Sequence, residues 1–227
     1  MWAAEAWRDA FVPLTAVASV LQRVRVGTSI TQFARPPVLT ALNAMALAEY
    51  THGRFVLEVG TVPPEWNKNW HGLEVTKPVA RMRAYIECLR TVRSATTSQS
   101  VSYSGEFIQV KDYVRFIPAA YVRVPIYLSG VNRRMIQLAG SHADSLILGE
   151  LNTPKYITEV VHPNLQRGLQ RAGRVRQDVE LCTGKICAVN NDARTARALA
   201  RHAVDFYMTI PYMILCWNPW SSPKQHV

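Results

Sequence analysis

Short apolar, β-branched runs alternate along this chain with longer segments whose apolar residues recur every three to four positions. A strand covered on both faces reads as an unbroken apolar run, and an amphipathic helix reads with a 3.6-residue period, so the alternation predicts βα units around a parallel sheet. The clearest strands are residues 24–30, 54–59, 124–128, 145–148 and 179–182, with 2–4 as the end of another. Pro36 and Pro37 open a segment in which Val38, Leu39, Leu42, Met45 and Ala46 share one helical face. Pro78 opens a second, with Val79, Met82, Ile86, Leu89 and Val92 on the packing side and Arg81, Arg83 and Arg90 falling mainly between them. Further helices are expected over 11–21, 132–140, 154–172 and 192–207. Residues 101–110, two alternating pieces around Ser104-Gly105, read as a hairpin inserted after a helix. From Cys216 onward turn formers replace the period, which divides the chain into one α/β domain over 1–210 and an irregular tail over 211–227.

Composition narrows the function classes. With 48% apolar residues in 227 the chain can bury a real core. No apolar run reaches the roughly 18 to 20 residues of a membrane helix and no secretory pattern opens the chain, so a cytoplasmic location is expected. Cys88, Cys182, Cys187 and Cys216 form no C-x-x-C pair and have no histidine at ligand spacing; they read as reduced, mostly buried thiols, and no metal site is expected. The formal charge of +10, from 26 basic and 16 acidic residues, favours acidic ligands, yet the basic residues are scattered and not interleaved with aromatics, which argues against nucleic acid. A parallel sheet closes naturally as a barrel or a doubly wound sheet; no G-x-G-x-x-G follows a strand, so dinucleotide binding of the second kind is disfavoured.

Three groups of residues carry a family likeness. Arg25-Val26-Gly27-Thr28-Ser29-Ile30, then Arg35-Pro36-Pro37, then Gly53-Arg54-Phe55-Val56-Leu57-Glu58-Val59-Gly60 resemble the "RIRLGT…RHP…GRFxLGxG" series of the bacterial luciferase-like monooxygenases and deazaflavin-dependent reductases. Val124-Pro125-Ile126-Tyr127-Leu128 with Leu138-Ala139-Gly140 and Ala143-Asp144 resembles that superfamily's "PIYxx…LAGxxADG", and Ser104-Gly105-Glu106-Phe107 its "YxGExF" insertion. The nearest likeness is to the branch containing methylenetetrahydromethanopterin reductase. The resemblance implies a TIM (β/α)8-type barrel with a cofactor ring at the carboxyl ends of the strands, where barrel enzymes keep their sites.

It also implies particular site residues. The bond Ser29 to Ile30 matches a non-proline cis peptide that presses on the ring. Gly60 and Thr61 match a loop beside the ring, where a missing side chain lets backbone approach a ligand. Ser129, Gly130 and Val131 stand between a strand end and a helix start, where unpaired amides and the helix dipole favour the cofactor phosphate; Arg133 and Arg134 either add charge there or form a solvated face. Glu5 aligns with an acidic residue near the cofactor, whereas Ala6 stands where the sugar-phosphate dehydrogenase branch carries a histidine base, so that branch's substrate does not transfer. Glu65, Trp66, Trp70 and His71 fall where a pocket wall is expected, with His71 a candidate proton donor against the plainer reading of a surface histidine. No catalytic residue is assigned.

The sequence departs from the family in three ways. Glu58 replaces a glycine and Ser145 another; a carboxylate in a buried barrel strand is costly unless paired or turned outward. Relatives carry a strand and helix before the point matching Trp2 and more after Tyr207, so the barrel is expected to lack its first and eighth strands, leaving edges that invite self-association as a homo-oligomer. The expected activity is hydride transfer between a reduced flavin-type ring and a small organic substrate, with or without oxygen. Coenzyme F420 is ranked above FMN because its acidic tail suits the positive charge; the alternative is a non-catalytic barrel remnant that only binds or self-associates.

Overall fold

A computed structural model of the chain describes residues 1–5, 8–117 and 123–210. Ala6, the irregular tail over 211–227 and Cys216 lie outside the described residues. The described chain forms two compact units, Met1–Leu128 with His142–Asp144, and Ser129–Ser141 with the residues from Ser145 onward.

The first unit is built on parallel strands: β1 (Trp2–Ala3), β2 (Val26–Thr28), β3 (Thr31–Gln32), β4 (Phe55–Gly60) and β7 (Ile126–Ser129), the last residue of β7 opening the second unit. β1 pairs with β2, β2 with β4, β3 with the end of β4, and β4 with β7, the register placing Gln32 beside Gly60 and Glu58 beside Tyr127. Every residue of β4 is buried, as its apolar run, broken only by Glu58, requires of a strand covered on both faces. Alternation puts Phe55, Leu57 and Val59 on one face, where Phe55 meets Phe11 at 6.2 Å between ring centroids. The opposite face carries Val56, Glu58 and Gly60. There Tyr127 lies 5.9 Å from the Trp2 ring.

Helices α1 (Phe11–Ala18), α2 (Pro37–Tyr50), α3 (Pro64–His71) and α4 (Pro78–Ser94) follow their strands, and β5 (Val101–Ser104) with β6 (Gln109–Tyr113) forms the expected antiparallel hairpin. Proline sits in the first turn of α2, α3 and α4, where the missing amide donor is not needed. Tyr85 of α4 is fully buried and its hydroxyl bonds Thr40 of α2 at 2.8 Å, giving the interior hydroxyl a partner.

The second unit contains α5 (Arg133–His142, whose last residue clusters with the first unit), β8 (Ser145–Leu148) and β9 (Glu180–Thr183) in parallel register. The helix expected over 154–172 is interrupted: α6 (Pro154–Tyr156) passes through a π-helical turn (Ile157–Val161) into α7 (His162–Arg171). α5 and α7 approach closely. A Cβ on Gly168 would stand 2.0 Å from the Gln137 carbonyl oxygen, and one on Gly140 2.6 Å from that of Leu165, so only glycine admits this contact. The last described helix is α8 (Ala193–Met208), capped by Asp192, whose carboxylate accepts the amides of Arg194 and Thr195.

Residues 64–71, read only as a pocket wall, form a helix closed by Gly72 in the left-handed region, with the amides of Leu73 and Gly72 returning to the carbonyls of Asn67 and Lys68. Of the two ways in which a strand carboxylate is tolerated, paired or turned outward, the second is not the one used: Glu58 is buried. Of the described cysteines, Cys88 is buried, Cys182 half-buried and Cys187 exposed, which corrects the expectation of mostly buried thiols.

Candidate functional site

In the first unit the carboxyl ends of β2 and β4 fall at one edge, because parallel strands share a direction. Ser29 follows β2 there and its bond to Ile30 is cis, as the family likeness implied. The Ser29 amide donates to the Ala3 carbonyl at 2.7 Å, and the chain then turns into β3, alongside Val59 and Gly60. Gly60 is buried and Thr61 half-buried.

Glu5 lies at this edge as a brace. One carboxylate oxygen accepts the Gln32 amide at 2.9 Å; the other accepts Arg35 Nε at 3.1 Å and a terminal guanidinium nitrogen at 2.6 Å. Gln32 Nε2 in turn donates to the Glu5 carbonyl at 2.7 Å. Arg35 also bonds Asp9 and lies over the Phe11 ring, 5.1 Å from its centroid. Burial alone lifts the Asp9 carboxyl, but the Val12 and Phe11 amides and the Arg35 guanidinium outweigh it and hold the group below its ordinary value. The Arg35 guanidinium loses to burial and gains more from Glu5 and Asp9, so it stays firmly charged. Glu5 is thus committed to positioning the segment 29–35.

Three buried polar atoms beside this edge have no hydrogen-bond partner among the described residues: Thr31 Oγ1, Gln32 Oε1 and Asn67 Oδ1. Thr31 and Gln32 make up β3, and Asn67 sits in α3, directly after the Gly60 loop. An unsatisfied buried polar atom costs about 1–3 kcal/mol, so each of the three is a point open to a donor or acceptor that the protein itself does not supply. None of the three was singled out from the sequence: a threonine, a glutamine and an asparagine carry no motif, and only coordinates reveal that they lack partners. His71 is exposed at the end of α3, and Trp66 stacks on Trp70 at 4.5 Å between ring centroids.

In the second unit, Gly130 follows β7 and its amide donates to the Ile147 carbonyl of β8 at 3.2 Å. That amide is spent, contrary to the expectation of unpaired amides at Gly130. A Cβ there would come 2.8 Å from Met135 Cγ, so the close approach that demands glycine is to the protein's own helix. The Val131 carbonyl accepts from Tyr156 and the Asn132 side chain caps the Met135 amide at 2.9 Å, while Ser129 is half-buried. The first-turn donors suited to an anion are therefore those of Arg133 and Arg134, both exposed. Beyond β8 and β9, Lys185 Nζ is held by the Asn152 carbonyl at 2.6 Å and its Oδ1 at 2.8 Å, and Asn152 Nδ2 donates to Thr183 at 2.5 Å. This cation at a strand's carboxyl end also went unrecognised in the sequence.

Within the first unit, Glu5, Thr31 and Gln32 lie past the carboxyl ends of parallel strands, the end at which (β/α) barrels keep their sites. Comparison with known proteins gives the chain a family. The luciferase-like monooxygenase model matches residues 1–225, and the chain belongs to that family. An uncharacterized protein of Mycobacterium tuberculosis is 31% identical over 219 residues, covering 92% of this chain and 64% of the relative. A putative coenzyme F420-dependent oxidoreductase of the same organism is 30% identical over 221 residues, covering 92% and 63%. The chain thus spans less than two thirds of the length of these relatives. Among solved structures, the coenzyme F420-dependent tetrahydromethanopterin reductase from Methanopyrus kandleri superposes with a TM-score of 0.75 at 20% identity, covering 90% of this chain and 62% of that one. The α/β fold is accordingly that of the incomplete TIM-type barrel expected from the sequence. Among the described residues no helix is long and apolar enough to cross a membrane.

Proposed function

We propose that this chain supplies the cofactor-binding part of a deazaflavin- or flavin-dependent oxidoreductase acting on a small organic substrate in the cytoplasm. The observation that carries the reading is the set of partnerless buried atoms, Thr31 Oγ1, Gln32 Oε1 and Asn67 Oδ1, at the strand edge where the family likeness puts the ring. They fit such a group: the polar edge of a flavin-type heterocycle offers both N–H and C=O, which a hydroxyl and two amide oxygens complement. When bound, the ring supplies the hydride chemistry, and the protein supplies binding, orientation and electrostatics.

Each residue then has a task. Ser29, Ile30, Gly60 and Thr61 bring backbone close to the ring. Glu5, through Arg35 and Gln32, holds β3 in register so that Thr31 and Gln32 stay in place. Ser129, Gly130 and Val131 shape the start of α5, and the amides of Arg133 and Arg134 with their side chains attract the cofactor phosphate. Coenzyme F420 is favoured over FMN by the net charge of +10 and by the names of the relatives; FMN remains the alternative. The free thiols of Cys88 and Cys187 suit a reducing compartment.

Titration of the purified chain with reduced coenzyme F420 and with reduced FMN, followed by fluorescence, tests the proposal. Saturable binding of F420, tighter than that of FMN, is the expected result. Failure of both to bind would instead favour a barrel that only associates with partners.

A further inference from the structure

An exposed lysine ordinarily samples many rotamers, and what stops that motion is ordinarily a carboxylate. Lys185 is held without one. It stands two residues past the carboxyl end of β9, exposed to solvent, and its Nζ donates to the Asn152 carbonyl at 2.6 Å and to Asn152 Oδ1 at 2.8 Å. Both acceptors are neutral, and among the described residues Lys185 forms no ion pair. Asn152 is buried and fixed in turn: its Nδ2 donates to the Gly149 carbonyl and to Thr183 Oγ1, which itself donates to the Gly184 carbonyl at 3.0 Å. The segments that follow β8 and β9 thus orient the ammonium. Two of its three N–H groups are spent, and the tetrahedral nitrogen turns the third away from both acceptors.

The surroundings leave its charge uncompensated. Glu150 lies along Gly184, where an added Cβ would stand 3.6 Å from its Oε1, yet it makes no ion pair with Lys185. Its carboxylate acts instead with burial to push the Tyr207 phenol up. Within the second unit the Gly130 amide meets Ile147 and Leu148 pairs with Thr183, so the start of α5 and Lys185 stand past the same strand ends, on either side of β8. Two strand spacings of about 4.8 Å separate them. An anion at Lys185 is therefore a different group from the phosphate proposed for the first turn of α5.

We infer that Lys185 is a second anion subsite, which receives a carboxylate of a bound ligand. A fixed ammonium with one free donor suits a single carboxylate oxygen, and its neutral supports leave the whole charge for that contact. Either the acidic tail of coenzyme F420 or an acidic substrate offers this group. The choice between these sources rests on the proposed cofactor; the subsite itself does not. If the tail supplies the carboxylate, Lys185 is what separates coenzyme F420 from FMN, which has a phosphate and no such tail.

Titration of the full chain with sodium succinate, followed through the side-chain resonances of labelled lysines, tests the subsite. The expected result is a saturable shift at Lys185 that weakens as ionic strength rises, with exposed Lys111 of the hairpin left unmoved. Reduced coenzyme F420 and reduced FMN then assign the source. If the tail is the ligand, Lys185→Met should weaken coenzyme F420 about tenfold and leave FMN unchanged, with unaltered circular dichroism. If the substrate is the ligand, both cofactors bind the variant as they bind the unaltered chain, and only the succinate response is lost. A shift at Lys185 no larger than at Lys111, or equal weakening of coenzyme F420 and FMN, would overturn the proposal. Failure of the unaltered chain to bind either cofactor would count against the cofactor reading alone, the succinate response still deciding the subsite.

Discussion

β4 in the first unit and β9 in the second are both parallel strands, yet all six residues of one are buried while the other has two half-buried residues between exposed ends. The helices differ in the same way: α4 buries seven residues, and α8, twice the length of α1, buries none. Both units have a buried apolar core, but the first takes in the whole of β4 and one side of α4, whereas β9 and α8 of the second lie outside it. The difference teaches where substitutions should be felt.

The sharpest test of that contrast is Phe55→Ala against Leu199→Ala. Phe55 is fully buried against Phe11, so its truncation should cost about 3–5 kcal/mol in urea unfolding. Leu199 is 57% exposed, and its truncation should stay within about 0.5 kcal/mol. Equal losses at the two positions would erase the distinction. Gly168→Ala asks whether the second unit has a rigid point of its own. The added Cβ meets backbone at 2.0 Å, and a loss of about 1–3 kcal/mol is expected from thermal melting.

A smaller effect separates packing from charge within the first unit. Arg35→Met should cost about 1–2 kcal/mol, less than a fully buried pair because Asp9 and Arg35 keep 37% and 20% of their side-chain surface. It should also weaken cofactor binding, since Glu5 loses the partner that fixes β3. Arg35→Lys should recover stability more fully than binding, because an ammonium cannot reproduce the two-nitrogen contact with Glu5.

The smallest expected effect is a pH dependence at His142. Burial pushes this histidine down, and Arg83 and Arg90 act with it, while Glu87 at 3.3 Å acts against it; the net shift is downward. The folded state therefore favours the neutral ring. Its contribution is complete above the unfolded value near 6.5 and is lost as pH falls through the lower folded value. Asp9 adds a second loss only below 3.8. His142→Gln should flatten the upper part of the melting profile and leave the acid limb unchanged.

The sequence was most legible where burial is greatest. The run at 54–59 and the periodic positions Met82, Ile86 and Leu89 correspond to β4 and α4 because full burial writes itself as composition. α3 was missed since its eight residues offer Trp66 and Trp70 as their only apolar spacing, and its helix is set by Pro64 and Gly72 at the ends. The π-helical turn at Ile157–Val161 left no trace in the apolar period. At the site, the cis bond after Ser29 was reachable through family likeness, and the edge at Gly60 through strand order. The state of individual donors was not: that the Gly130 amide is spent on Ile147, or that Thr31 lacks a partner, depends on distances that no residue type encodes.

Thr31→Val measures the central claim most directly, because it removes a partnerless hydroxyl and keeps its shape. The account predicts opposite changes in one protein: thermal stability without ligand rises by about 1 kcal/mol, and affinity for reduced coenzyme F420 falls roughly tenfold. Unchanged affinity in a variant that melts higher would show that this edge does not hold the ring.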